Sequence, residues 1–427
     1  MTEKEKMQNI LKNIIQISIL IYVVVLPFNH RATLSALCLI IAAFCWILSM
    51  IIERKFILKK TALNVPLGLV FLIALISAIF SIDSACSLNF FRSEILKAVF
   101  IFFAIVNFFD SERRIKQLVW LLMFSFVLMN IYGLAEYFAI LRPAGRKLDA
   151  TLGHHNKVGM FADLVFPLIL IYALKVKDWK SRIPLLFFGI ISLTAVIFTQ
   201  SRGAWVSIIL GLLICGIFYD RKILNALAVI LIILPLILPA NIMKRVTTIF
   251  DFDDYLKPGR VLVERPFVWK GAVKIIKKYP IIGAGTGSDI FYKLYVEKGF
   301  KPKRAKQKLG HAHNQILETL VENGIAGLIA QIIFFVSFFK TINTGIKKSD
   351  DSIKKVILLG CFTGVAAILF HGIIGSFWRS RMIFLLMILM GIGTSCAVYS
   401  DLKDSDVIEI VDSQWEKEKE KKLAAQI

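Results

Sequence analysis

Charge is scarce in this sequence: only 19% of its 427 residues are Asp, Glu, Lys or Arg, and mean hydropathy is +0.70. Apolar residues make up 57%, against about 45–50% in an ordinary globular chain. A soluble protein of this length needs more charge to coat its surface, so the chain must present apolar surface to lipid. Acidic residues are the scarcer sign, 30 against 52 Lys and Arg, for a net charge of +22. That excess implies an anionic partner, and its distribution between the two membrane faces bears on which. Cysteine supplies no framework: five of the six (Cys38, Cys45, Cys215, Cys361, Cys396) sit in apolar runs and only Cys86 falls in a loop, which excludes a disulfide scaffold. No internal repeat is visible, which weakens a transporter or flippase built from inverted halves. No small-residue cleavage site follows the first apolar segment, only Pro27 to Arg31, so that segment reads as a retained span.

What is there is a series of twelve apolar stretches near the bilayer-spanning length of about 20 residues. They centre on 10–28, 33–52, 63–80, 95–109, 118–140, 157–174, 183–199, 204–219, 223–239, 315–339, 355–373 and 382–399. The fold class expected is therefore all-α, a polytopic integral membrane protein. Residues 1–240 hold spans one to nine, 241–312 one large loop, 313–400 the last three spans, and 401–427 a charged tail. Alternate short loops carry clusters such as Arg54/Lys55/Lys59/Lys60 and Lys175/Lys177/Lys180/Arg182. The positive-inside rule then puts both termini in the cytoplasm and the 241–312 loop outside.

That loop holds sixteen basic and six acidic residues. Within it, Glu264 to Tyr279 has helical period and stops at Pro280. Lys270, Lys274, Lys277 and Lys278 fall on one side, and Arg265, Trp269, Ala272, Ile276 and Tyr279 form a stripe on the other. This predicts an amphipathic helix on the membrane interface, lysines to water. Arg265 is then aimed inward, and a planar guanidinium there suits phosphate. A snorkelling arginine is the plainer reading.

A second arginine sits where lipid makes it costly. Arg202, in Thr199-Gln-Ser-Arg-Gly-Ala-Trp205, joins two spans with almost no loop. It needs a functional ligand or an ion pair, for which Asp163, Glu318 and Glu322 are available. The third element is His311-Ala-His313-Asn314. Asn314 is a good helix N-cap, which leaves His313 beside a helix N-terminus, where a neutral imidazole, and hence a general base, is favoured. No Cys or HExxH spacing accompanies the two histidines, so they do not read as a metal site.

Weaker signals remain. Asp251-Phe-Asp253-Asp254 imitates a metal-positioning DxD but is more simply a counter-charge in a basic loop. Gly283-Ala-Gly285-Thr-Gly287 follows a helix, which excludes a dinucleotide fingerprint, though a nest of backbone N–H groups for phosphate fits it. His155 and Asn156, the preceding Arg142, Arg146 and Lys147, and Arg379 and Arg381 are further external candidates. Asp83, in the first outer loop, is the base available to a metal-dependent membrane glycosyltransferase.

Taken together these elements resemble the O-antigen ligase and polymerase superfamily of polytopic membrane glycosyltransferases. His313-Asn314, nine residues, then Gly324-Ile-Ala-Gly327 is similar to that family's His-Asn-x9-Gly-x-x-Gly signature. Ser201-Arg202-Gly203 resembles its Ser-Arg-Gly element, and Arg265-x-x-x-Trp269 with Pro280 and Gly283-Ala-Gly285 resembles its loop helix. Gly153 to Asn156 matches a fourth element more loosely.

The resemblance implies a GT-C-type architecture with one large periplasmic loop, in the bacterial inner membrane. It implies a donor glycan on undecaprenyl pyrophosphate, an acceptor sugar of lipid A-core, membrane lipids as surroundings, and no cofactor, metal or nucleic acid. It implies an inverting O-antigen ligase with His313 as catalytic base and Arg202 and Arg265 on the pyrophosphate. His311, Asn314, Asn156, His155, Arg142, Arg146, Arg379 and Arg381 would support them. An O-antigen polymerase or a protein O-oligosaccharyltransferase of the same superfamily is the alternative.

Overall fold

The computed structural model describes residues 2–28, 32–139, 147–247, 261–302, 310–349, 353–398 and 407–410. All twelve apolar stretches become helices. In chain order the helices are α1 (Glu3–Val25), α2 (Ala32–Glu53), α3 (Asn64–Ile79), α4 (Ser84–Phe90), α5 (Leu96–Phe108), α6 (Glu112–Ala139), α7 (His155–Lys175) and α8 (Trp179–Thr199). Then follow α9 (Arg202–Phe218), α10 (Arg221–Ile237), α11 (Ala240–Thr247), α12 (Val261–Lys278), α13 (Ser288–Tyr292), α14 (Gln315–Lys348), α15 (Ile353–His371) and α16 (Ser380–Val398). Eight of these, α1, α2, α6, α7, α8, α14, α15 and α16, are long and apolar enough to cross a membrane. The other four expected spans are shorter, from 13 residues in α5 to 17 in α9 and α10. A π-helical turn, Phe91–Ile95, links α4 to α5, so helical backbone runs unbroken from Ser84 to Phe108. The protein is an all-α, multi-pass membrane protein.

Local chemistry explains where the helices start. Thr2 and Glu5 form a capping box on α1, and Asp178 and Asp220 cap α8 and α10 with their carboxylates. The centre of the bundle is made by α7, α15 and α16, whose residues are buried almost all round, while α8 and α10 leave Ile190, Ile232, Leu236 and Ile237 exposed for lipid. Residues 407–410, in the stretch expected to be a solvated tail, instead form a short antiparallel pair with Phe56–Lys59, Phe56 opposite Ile410.

The longest helix, α14, is broken. Gly324 has φ 64° and ψ −165°, a conformation essentially open only to glycine. The break exposes backbone groups that must find partners inside an apolar protein. The segment 280–285 supplies them. Ile325 and Ala326 donate to the carbonyls of Pro280 and Ile281 at 2.9 and 3.1 Å, and Ala284 and Gly285 donate to those of Val321 and Glu322 at 2.8 and 3.2 Å. Thr286 Oγ lies 3.0 Å from the Ala74 carbonyl of α3 and 2.7 Å from Asn323 Oδ1. The segment 280–286 is thus spliced into the helix that begins beside His313.

Candidate active site

Three elements converge at one end of the bundle. The first is α12, which exists as the lysine pattern predicts: Lys270, Lys274, Lys277 and Lys278 are exposed. Its other face, however, does not rest on lipid. Val268, Ala272 and Ile275 are buried against Ile290, Phe291, Leu294, Tyr295, Ala312 and Val321, a second small core belonging to the loop and the start of α14. The periodicity was that of an interfacial helix; a protein partner satisfies it instead. At the N-terminal end of α12, Arg265 Nη2 donates to the carbonyl of Ile374 at 3.0 Å, while its buried Nε has no partner among the described residues. One turn on, the Trp269 indole N–H donates to the Ala312 carbonyl at 3.0 Å, tying α12 to the histidine segment.

The second element is His311 to Asn314. Asn314 caps α14, its Oδ1 accepting from Leu317 N–H at 3.0 Å, and its Nδ2 donates to the Ile373 carbonyl at 3.0 Å. His313, immediately before the cap, has φ 51°, a left-handed conformation that costs a non-glycine residue about 1–3 kcal/mol. The rings of His311 and His313 meet with centroids 3.9 Å apart. Burial first, then the charge of Arg265 and His311, pushes His313 down to about 3. Burial and Arg379, His154 and Arg265 push His311 to about 4. Both imidazoles are therefore neutral at pH 7, the state a proton acceptor requires.

The third element is the first turn of α9. Ser201 Oγ donates to Asn156 Oδ1 at 3.0 Å. The field of Arg202, after burial, lowers Arg265. Together with burial and Arg245 it lowers Lys147 to about 8. Lys147 Nζ lies 3.2 Å from His155 Nε2, and the rings of His154 and His155 stack at 4.4 Å. Basic groups from α9, α11 and α12 and Lys147 thus lie within electrostatic reach of one another at this end of the bundle.

Other expected residues are engaged with protein partners or lie apart. Arg379 is not open for phosphate: it is ion-paired with Glu318, to which Ser376 Oγ also donates, and stands 4.0 Å from Glu322. Arg381 lines a separate cavity of about 290 Å³ with Tyr22, Glu94 and Lys97. Asp163 pairs with His371 rather than with Arg202. The Gly283–Gly287 amides are no phosphate nest, since those of Ala284 and Gly285 are spent on the break in α14. Asp83 caps α4 through Cys86 N–H at 3.0 Å and pairs with Lys293. Arg142, Arg146 and Asp251 to Asp254 lie outside the described residues.

One group in this region left no trace in the sequence pattern. The turn ending α15 accepts hydrogen bonds from all sides: Gly372 from Gln315 N–H at 2.7 Å, Ile373 from Asn314, Ile374 from Arg265. His371-Gly-Ile-Ile-Gly375 reads only as the end of an apolar span.

The stretch that carries Arg202, Arg265, His313 and Gly324 is also the one that known proteins share. Residues 187–332 match the family model described as O-Antigen ligase. The chain carries a domain of the O-antigen ligase and polymerase superfamily. It is also 29% identical over 189 residues to an uncharacterized protein of Haemophilus influenzae (strain ATCC 51907 / DSM 11121 / KW20 / Rd), a match covering 39% of this chain and 46% of that one. The chain thus spans less than half the length of that relative. Members of the family are enzymes of the ligase and polymerase type; His371 and Asp163 lie outside the matched stretch.

Proposed function

We propose that the protein is an O-antigen ligase of a bacterial inner membrane, with both termini in the cytoplasm and the site facing the periplasm. Its donor is a glycan on undecaprenyl pyrophosphate and its acceptor a sugar hydroxyl of lipid A-core. The observation that supports this reading is a half-buried His313 in the field of Arg265, which in turn lies in the field of Arg202, with Arg265 anchored on the Ile374 carbonyl beside the Asn314 cap. The acceptor oxygen attacks the anomeric carbon while its proton passes to the His313 imidazole. The bond from that carbon to the pyrophosphate oxygen breaks, its electron pair leaving with the lipid pyrophosphate. Arg202 and Arg265 bind the charge that grows on the leaving group, so their contribution is greater in the transition state than in the ground state. A single displacement inverts the anomeric centre.

The test supplies purified protein with lipid-linked glycan, with and without lipid A-core. Glycosylated core, lost about a hundredfold or more in His313→Ala, Arg202→Ala and Arg265→Ala, is the expected result. Lysine at either arginine should rescue poorly because it lacks the planar fork. Lengthened lipid-linked glycan without core would make the protein a polymerase, and transfer by His313→Ala at the wild-type rate would overturn the base.

A further inference from the structure

Asp163 on α7 and His371 at the end of α15 are 208 residues apart and buried, 0% and 3% exposed, with His371 Nδ1 2.5 Å from Asp163 Oδ2. An ionisable pair at membrane depth is costly, and a packed apolar pair would serve stability as well or better. Asp163 Oδ1 is buried with no hydrogen-bond partner among the described residues. Asp163 holds the Nδ1 edge of the imidazole, which leaves Nε2 on the opposite side of the ring.

That side is the first turn of α9. A Cβ added at Gly203 would lie 2.8 Å from His371 Nε2. The first peptide N–H groups of a helix lack intrahelical acceptors, and Ser201 does not cap α9 with its side chain. Arg202 is the residue this turn presents. The carbonyls of the following residues, Ile373 and Ile374, hold Asn314 and Arg265. His371 to Ile374 thus meets the first turn of α9 through the imidazole, and the start of α14 and Arg265 of α12 through backbone carbonyls.

We propose that His371, held by Asp163, is the positioning residue that sets Arg202, through the first turn of α9, against Arg265 and His313. The proposal rests on the leaving-group role assigned to Arg202 above. His371 touches no reacting atom; it acts through Arg202.

The test uses the full chain in lipid nanodiscs with lipid-linked glycan and lipid A-core. His371→Asn keeps an amide for Asp163 and removes Nε2; Gly203→Ala pushes the same ring away. Each is measured alone and with Arg202→Lys, after thermal-shift and size-exclusion checks of folding. Should His371→Asn not fold, Gly203→Ala and Asp163→Asn carry the measurement. Displacement of an aligned group costs rate, so kcat should fall about tenfold or more with donor KM within about threefold. In the Arg202→Lys background the same change should cost less than about threefold, because residues acting as a unit are not additive. Equal losses in both backgrounds, or wild-type kcat in the folded variants, would overturn the proposal. Arg202→Lys transferring at the wild-type rate would instead remove the functional reading on which it stands.

Discussion

Gly324 and Ile281 touch through their backbones. A Cβ on Gly324 would overlap the Ile281 carbonyl, which accepts the N–H of Ala326, and a Cβ on Gly283 would overlap the Glu322 peptide in the same way. α14 and the segment after α12 are thus joined by two glycines that no other residue can replace without moving one backbone off the other. Gly324→Ala should cost about 1–3 kcal/mol in backbone strain alone. The variant should show a lower melting temperature and lose glycan transfer. Gly310→Ala, with no atom within 4 Å of the added methyl, should leave both unchanged in the same assays.

Acid should spare the chemistry before it spares the fold. His313 and His311 stand near 3 and 4 in the folded protein and near the ordinary 6.5 when unfolded. Between those values the unfolded chain binds more protons, so stability is full above about pH 6.5 and is lost as pH falls toward 3. kcat/KM reports the free enzyme, and it should show no acidic limb near 6.5. The limb in kcat should lie higher, since bound pyrophosphate favours the protonated imidazole. A kcat/KM profile halved at pH 6.5 would contradict a neutral His313.

Arg379 is expected to matter for stability more than for substrate. Removing it leaves Glu318, 3% exposed in its side chain, as an uncompensated buried charge, and such a loss costs about 3–5 kcal/mol. Arg379→Ala should therefore melt well below wild type, and Glu318→Gln added to it should restore much of the difference. Additive losses in the double variant would show that the two side chains do not act as a pair.

Asp83 offers a contrast. It is engaged as a helix cap and with Lys293, which hold its carboxyl below the usual carboxylate range. At the surface such a contact contributes little. Asp83→Asn should transfer glycan within about twofold of wild type; its inactivity alongside an active His313→Ala would point to the first outer loop as the source of the base.

The helices were legible because an apolar run of spanning length has few other readings, and α12 because its lysines recur at helical spacing. The segment around His313 was legible for the same local reason, an Asn cap three residues from Leu317. What contacts the apolar face of α12 was not, since the same period serves lipid and a protein core alike. Nor was the ion pairing: Arg379 lies 61 residues from Glu318 and Asp163 lies 208 from His371, and spacing along the chain gives no sign of either. The glycines at 283 and 285 were visible as backbone freedom, but whether that freedom serves a phosphate or a broken helix depends on a segment some forty residues away.

The splice of the 280–286 segment into α14 bears on how the protein is made. Thr286 reaches back 212 residues to Ala74 and Ser77 reaches forward 245 residues to Glu322. Contacts of that range form late, after the intervening chain has been threaded and its ends have met. Newly inserted chain holding α1 to α12 lacks the peptide groups of 321–326 that the loop needs. The pieces of the site must wait in the membrane until α14 and α15 arrive, and they come together only once those helices are in place.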